Sequence, residues 1–303
     1  MLRRLFLLLP VVLVALTAAC GIDTVRIVAV GDLHGDLDAA RRALRLAGAV
    51  DEQDRWIGGD MILVQTGDVF DRGDDEPDIF SLLERLQVEA AAAGGAVHLL
   101  NANHELMNAR LDFRYVTEDG FADYADTPYT VDEELAALPE AQRGRAAAFR
   151  PGGPMARKLA ERPVILILGE TVFVHGGVLP EHVDHGIELW NIEVRNWLLG
   201  EGSAPDGVHT SRSPTWNRLY SDAPGDSAAA VLDSVLDRLG VERMVMGHTV
   251  QDAGVTAHCS GRAWCIDTGM AAHYGGPVEV LEIVGDEVTI LRESTSTSDE
   301  ESE

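Results

Sequence analysis

Residues 24–36 read TVRIVAVGDLHGD, an alternating run of β-branched residues that leads directly into glycine, aspartate and histidine. The alternation predicts a strand over 24–30, and the helical spacing that follows predicts a helix over 37–48. The same order of strand, loop and helix recurs, with a third strand after it, at 61–66, 77–93 and 96–100. Repeated units of this kind form parallel sheets with helices outside, so the sequence predicts an α/β fold.

The second half of the chain adds more strands, predicted at 164–168, 171–175, 243–246, 263–267, 278–283 and 287–291. The first two form a hairpin about Gly169-Glu170, and a helix is predicted over 228–239. Residues 108–162 lose the apolar periodicity and include the breaker cluster 150–154. We interpret 108–162 as a cap inserted over a site, and not as a separate domain.

Five short polar clusters each follow an apolar run, so each lies at the carboxyl end of a predicted strand. They are Gly31 to Asp36, Gly67 to Gly73, Asn103 to Glu105, His175 to Gly177 and Gly247 to Thr249. One such cluster alone is more often a turn or a satisfied polar pair than a ligand set. Because open α/β sheets bind ligands at this edge, the five clusters together predict a single shared site.

The side chains in these clusters favour a metal site. Aspartate, asparagine and histidine combine oxygen and imidazole donors, which suits Mn, Fe or Zn better than Mg or Ca. A carboxylate such as Asp68 can bridge two ions about 3.5 to 4 Å apart, and such a pair clamps both the attacking and the leaving oxygen of an in-line displacement. The sequence therefore predicts two divalent or trivalent ions.

The motif string GDxHGD, GDxxDRG, NHE, HGG and GHT resembles the phosphoprotein phosphatase branch of the calcineurin-like metallophosphoesterases. Residues 74–76, 150–154, 172–182 and 215–218 more narrowly resemble bacterial Shewanella-like protein phosphatases. The resemblance covers about residues 24–291. It implies a four-layer α/β/β/α sandwich and a dinuclear-metal phosphomonoesterase that acts on a phosphoprotein or a small phosphomonoester.

The resemblance also implies the metal ligands. One ion would be bound by Asp32, His34 and Asp68, and the other by Asp68, Asn103, His175 and His248. A hydroxide that bridges the two ions would be the nucleophile, because metal coordination lowers the pKa of water to about 7.

Four further residues would carry the remaining chemistry. His104 would protonate the leaving oxygen, and Asp71 would orient and charge its imidazole. Arg72 and Arg218 would hold the phosphoryl oxygens. The chain departs from the family at Ala102, where glycine is usual before Asn-His-Glu. If φ is positive there, alanine costs about 1 kcal/mol. Tyr274 either substitutes for a family tyrosine near the site or is a surface residue.

The first residues predict export. Arg3 and Arg4 precede an apolar run over 5–16 and then small residues, which is typical of a signal peptide over 1–19. A bacterial lipoprotein box is also present, so Cys20 would be lipidated and tether a periplasmic protein to the membrane; the alternative is ordinary cleavage and a soluble secreted product. The metallophosphoesterase domain would span 20–292, and the acidic tail 293–303 would be disordered.

The charge and the cysteine content of the chain bear on nucleic-acid binding, on which basic residues can occupy a cleft and on disulfide formation. The formal net charge of −26 argues against nucleic-acid binding. Lys158 is the single lysine, so a basic residue in a cleft is almost always an arginine. Cys259 and Cys265 flank a short turn, and their spacing leaves a disulfide open.

Two other functions compete with a phosphomonoesterase. The same metal scaffold also serves phosphodiesterases and dinucleotide hydrolases. The pair Asp71-Arg72 favours a terminal phosphoryl group, because it joins an acid-orienting carboxylate to an arginine clamp. A metal-binding protein without turnover is a third hypothesis, and the presence of His104 argues against it.

Overall fold

The computed structural model describes residues 25–293. The predicted signal peptide over 1–19, the lipidation site Cys20 and the predicted tail from residue 294 onward lie outside the described residues. The structural statements that follow concern residues 25–293.

The described chain alternates strands and helices. The strands are β1 (Arg26–Val30), β2 (Ile62–Gln65), β3 (Ala96–Leu99), β4 (Ile165–Leu168), β5 (Thr171–Val174), β6 (Arg243–Met246), β7 (Thr256–His258), β8 (Ala263–Cys265), β9 (Glu279–Val284) and β10 (Glu287–Arg292). The helices are α1 (Leu37–Leu46), α2 (Glu76–Ala93), α3 (Asn103–Ala109), α4 (Glu118–Ala122), α5 (Glu133–Ala136), α6 (Glu140–Phe149), α7 (Pro154–Leu159), α8 (Pro180–His185), α9 (Ile187–Leu199) and α10 (Asp226–Leu239).

Two five-stranded sheets form the centre of the molecule, in the orders β10-β9-β1-β2-β3 and β4-β5-β6-β8-β7. Strands β1, β2 and β3 are parallel, as their connecting helices predict. Strands β4 and β5 form the predicted antiparallel hairpin. The sequence does not predict β7, which is only three residues long, or helices α8 and α9.

The alternation along each strand assigns its side chains to two different cores. In β1, Val28 belongs to the large core beneath the helices, whereas Ile27 and Ala29 belong to a second core between the sheets. Phe173 of β5 and Val245 of β6 face this second core from the other sheet. Because each sheet is apolar on both faces, the helices must cover the outer faces. The α/β/β/α sandwich is confirmed.

Residues 108–162 carry helices α4 to α7 and a small apolar cluster of their own, formed by Phe113, Leu135, Ala146 and Ala147. Arg145 of α6 is fully buried and reaches out of this segment. Its Nη1 lies 2.6 Å from Glu76 Oε2 on α2, and its Nε donates to Asn108 Oδ1 at 2.7 Å. The segment is therefore joined to the sandwich by a buried ion pair; its role as a cap stays a prediction.

Two further features concern the cysteines and the helices of the described part. Cys259 and Cys265 are both free thiols in the described structure, and the buried Cys265 points at the Tyr220 carbonyl, 4.0 Å away. Between residues 25 and 293, each helix is too short or too polar to cross a membrane.

Replacing Arg145 with methionine should lower the free energy of unfolding by about 3–5 kcal/mol, because the change leaves a buried carboxylate without its partner. The matched control is Arg85→Met, which breaks the exposed Arg85–Glu89 pair within α2 and should cost about 0.3–0.5 kcal/mol. Chemical denaturation of both variants measures the difference. Equal unfolding midpoints for the two variants would show that the buried ion pair stabilises the fold no more than the exposed pair does.

Candidate metal centre

The five polar clusters meet at one edge of the two sheets, and the backbone is strained where they do so. His34, Asp68, Asp71, Arg72 and His248 all have positive φ, between 44° and 79°. Only ten non-glycine residues of the described chain have positive φ, so half of them lie at this edge. Non-glycine residues in this region are destabilised by about 1 kcal/mol or more, and such strain is concentrated at functional sites.

Asp68 is the central side chain. Its Oδ2 lies 3.1 Å from His175 Nε2, 3.8 Å from His34 Nε2 and 3.8 Å from His104 Nε2. Two sets of potential ligand atoms, each within 4.8 Å, share this carboxylate: one with His34 and His104, the other with His175 and His248. Asp68 therefore lies where one carboxylate reaches both groups of side chains, as the predicted bridging role requires.

The other residues with predicted ligand roles lie against this centre. Asp32 accepts from the His248 backbone N–H, with N–O distances of 3.3 and 3.2 Å, and lies 3.9 Å from His34 Nε2. Asn103 Oδ1 lies 2.7 Å from His175 Nε2. The structure thus brings together all six side chains that the sequence assigns to the metals.

The pKa shifts of His34 and Asp68 favour the forms that bind a cation, whereas Asp32 would need a nearby cation to stay ionised. Burial, together with the charges of Asp267 and Asp68, raises the pKa of Asp32 well above its usual range. Burial also raises the pKa of Asp68, but the imidazoles of His175 and His104 outweigh it and hold that pKa well below its usual range. Burial lowers the pKa of His34 to about 4, so its ring is neutral. Neutral imidazole and ionised carboxylate are the forms that bind metal.

One orphaned atom tests whether a metal fits. His248 Nε2 is buried and has no hydrogen-bond partner among the described residues. An unsatisfied buried polar atom costs about 1–3 kcal/mol and requires an explanation. Its ring centroid is 4.9 Å from that of His175, and burial lowers its pKa well below the ordinary histidine value. A buried neutral imidazole with a free nitrogen near the Asp32 and Asp68 carboxylates fits the requirements of a metal ligand.

A second pair of residues lies beside Asp68. His104 Nδ1 is 2.6 Å from Asp71 Oδ2, so the carboxylate fixes the proton on Nδ1 and turns Nε2 towards the metal centre. Burial lowers the pKa of His104, but the charge of Asp68 and the hydrogen bond to Asp71 raise it to about 9. Asp71 also accepts from Asn108 Nδ2 at 2.9 Å, and Arg145 lies 3.3 Å away. His104 is therefore held in a fixed orientation, and its raised pKa favours the charged ring near neutral pH.

The two arginines with predicted roles are positioned differently. The Arg72 guanidinium lies 3.9 Å above the Tyr115 ring and 5.9 Å from the Tyr274 ring. The Tyr274 ring is in turn 5.4 Å from that of His34, which places this tyrosine at the site. Arg218 is exposed, and its Nη1 donates to Thr249 Oγ1 at 2.8 Å. Arg72 thus lies near the centre through Tyr274 and His34, and Arg218 through Thr249, the residue after His248.

Sequence reasoning misses two carboxylates here. Asp267 is buried and lies two residues after the end of β8, and its charge contributes to the raised pKa of Asp32. The rule that ligands follow strand ends could have found it, but the predicted strand over 263–267 includes it. Glu105 is also buried, and accepts backbone N–H bonds from Asp68, Val69 and Ala102 at 2.9–3.0 Å. It ties the loops after β2 and β3 together and so positions Asp68.

The departure from the family at Ala102 carries no backbone penalty. Its φ is −118° and its ψ is −174°, an extended conformation that any residue adopts. The glycine that matters is Gly67, which has φ of +96°. A Cβ on Gly67 would lie 2.3 Å from the Ala102 Cβ, so the two loops have room for one methyl group between them.

Comparisons with known proteins agree with this geometry. Residues 25–252 match the family model described as calcineurin-like phosphoesterase. The chain is 40% identical over 292 residues to Shewanella-like protein phosphatase 2 of Arabidopsis thaliana, covering 85% of this chain and 75% of that protein. It is 29% identical to Shewanella-like protein phosphatase 1 of Plasmodium berghei, covering 83% and 69%. The crystal structure of a cold-active protein-tyrosine phosphatase from a psychrophilic Shewanella species superposes with a TM-score of 0.66 at 25% identity, covering 89% and 81%.

Asp68→Asn should lose bound metal, because the change removes the one charge that both ligand sets share while keeping the side-chain shape. Elemental analysis after dialysis against manganese, iron and zinc measures the occupancy, for which we expect about two ions in the parent protein. Asp60→Asn, at an exposed position, is the matched control and should keep the parental content. A variant at Asp68 that still holds both ions would remove this residue from the bridging position.

Proposed function

The chain belongs to the calcineurin-like phosphoesterase family, and on that basis we propose that it is a metal-dependent protein phosphatase that hydrolyses phosphomonoesters. Two named relatives are protein phosphatases, one of them 40% identical to this chain. The observation that carries the proposal is the pair Asp71–His104, joined at 2.6 Å, with His104 Nε2 turned towards Asp68. A charged, oriented proton donor beside a metal centre serves turnover and not simple metal storage.

In this proposal Asp32, His34, Asp68, Asn103, His175 and His248 hold two cations, with Asp68 common to both. Their mixed oxygen and imidazole donors favour Mn, Fe or Zn. When bound, the cations supply Lewis acidity that neutralises phosphoryl charge and activates water at neutral pH. The role of the protein is to place the phosphoryl group and to control its protons.

His104 supplies the proton for the leaving oxygen. A water oxygen bonds to phosphorus as the bond between phosphorus and the leaving oxygen breaks, and the proton on His104 Nε2 transfers to that leaving oxygen, so the departing group leaves as a neutral hydroxyl compound. Asp71 keeps the other proton on Nδ1 and stabilises the charged ring before transfer. Arg72 and Arg218 donate to the phosphoryl oxygens that do not react. The stacking of Arg72 on Tyr115 fixes the plane of its guanidinium.

His104→Asn should keep the metals and lower kcat by about 10²- to 10⁴-fold, the contribution that a general acid makes. Steady-state hydrolysis of p-nitrophenyl phosphate, combined with elemental analysis, separates lost chemistry from lost metal. His98→Asn, in β3 and outside the centre, is the matched histidine control. Unchanged turnover in the His104 variant would exclude this residue as the acid.

A phosphodiesterase on the same scaffold is the main alternative, and the substrate decides between them. A monoester presents three terminal oxygens to the arginines, whereas a diester has a second ester group in place of one of them. We therefore expect faster cleavage of p-nitrophenyl phosphate than of bis-p-nitrophenyl phosphate under identical metal loading. Faster cleavage of the diester would reverse the assignment.

A further inference from the structure

A second pocket of about 330 Å³ opens beside the metal centre. Its lining includes Arg110, Asp112, Arg114, His209, Trp216 and Arg218. Of these residues only Arg218 has a role in the proposed hydrolysis. Arg110 and Arg114 lie just after the Asn-His-Glu motif, outside every motif that carries the chemistry.

The pocket shares a wall with the metal centre. The Trp216 ring is 5.6 Å from the His248 ring, edge to face. Arg218 donates to Thr249, the residue after His248. A ligand in the pocket would therefore lie next to a phosphoryl group bound at the metals, separated from it by one aromatic ring.

The charge of the pocket is opposite to that of the whole chain. Three arginines face one acid, Asp112, so positive charge is in excess in the pocket, while the chain as a whole carries −26. His209 adds no charge near neutral pH, because burial, with the charge of Arg110, lowers its pKa to about 4. A local excess of positive charge on an acidic protein attracts an anion to this one place.

Asp112 orients Arg110 and Arg114 and offsets only one of their two charges. It accepts from Arg114 Nε and Nη2 at 2.8 and 2.7 Å and from Arg110 Nη2 at 3.0 Å. These contacts order both guanidinium groups while leaving their remaining N–H donors for a ligand. Guanidinium groups held in this way match the oxygens of a carboxylate or a phosphoryl group.

We propose that this pocket binds a second anionic group of the substrate, namely a carboxylate or phosphoryl group on a residue close to the phosphorylated one. The inference rests on the proposed function and deepens it: the preferred substrate is a phosphoprotein segment with an acidic or second phosphorylated residue nearby. The pocket adjoins the metal centre across the Trp216 ring, so we expect the two groups on residues close together in an extended segment, which advances about 3.3–3.6 Å per residue.

Three matched phosphopeptides test the proposal. The first carries one phosphorylated residue flanked by alanines, the second has glutamates at the flanking positions, and the third has a non-hydrolysable phosphonate there. The parent protein should show kcat/KM about tenfold higher for the second or the third than for the first, mainly through KM. The second and third peptides distinguish a carboxylate from a phosphoryl group as the preferred anion.

The double variant Arg110→Gln, Arg114→Gln should bring this ratio close to one. Dividing each rate by that of the alanine peptide removes any general loss of activity or folding. The control Arg55→Gln, Arg157→Gln removes the same two charges from exposed arginines elsewhere and should keep the parental ratio.

Two results would overturn the inference alone: a ratio of one in the parent protein, or the same ratio in the double variant and its control. In both cases hydrolysis of the alanine peptide would leave the proposed function standing. Failure to hydrolyse any of the three peptides would overturn the proposed function and the inference with it.

Discussion

The architecture depends on the burial of like charges at one point. Asp32, Asp68 and Asp267 are each about 2% exposed. They are close enough that the charges of Asp68 and Asp267 raise the pKa of Asp32, and the charge of Asp68 raises the pKa of Asp267. Carboxylates removed from water in this way are costly unless cations or hydrogen bonds compensate them. Imidazoles and backbone N–H groups supply part of that compensation, and the remainder explains why the family binds metal ions at this position.

The charges can be held together only because the loops that carry them are tied to each other. The Glu105 carboxylate joins the loops after β2 and β3 through three backbone donors. A second buried network runs from Glu76 through Arg145 to Asp71, and from there to His104. His104 is thus supported from α6, a helix far from it in sequence, as well as from its own loop.

Much of this could be predicted from the sequence, for a definite reason. Strands β1, β2, β5 and β6 show strong apolar patterns, and their ends carry the polar clusters, so the sandwich and the convergence of six ligands are local signals repeated along the chain. Arg145 could not be predicted, because an arginine in an alanine-rich helix reads as a solvated residue and its burial depends on tertiary packing. Tyr115 is missed in the same way, since its contact with Arg72 joins two separate loops.

Five residues at the site have a left-handed backbone conformation, namely His34, Asp68, Asp71, Arg72 and His248. At these positions the side chain needed for activity lowers the stability of the folded protein. Glycine at any one of them would relieve about 1 kcal/mol of local strain but remove a side chain assigned to the chemistry. A laboratory selection for heat resistance alone would therefore favour substitutions at these five positions that make the protein more stable but inactive. Consensus stabilisation of this enzyme should leave them untouched and work on the helices of the outer layers instead.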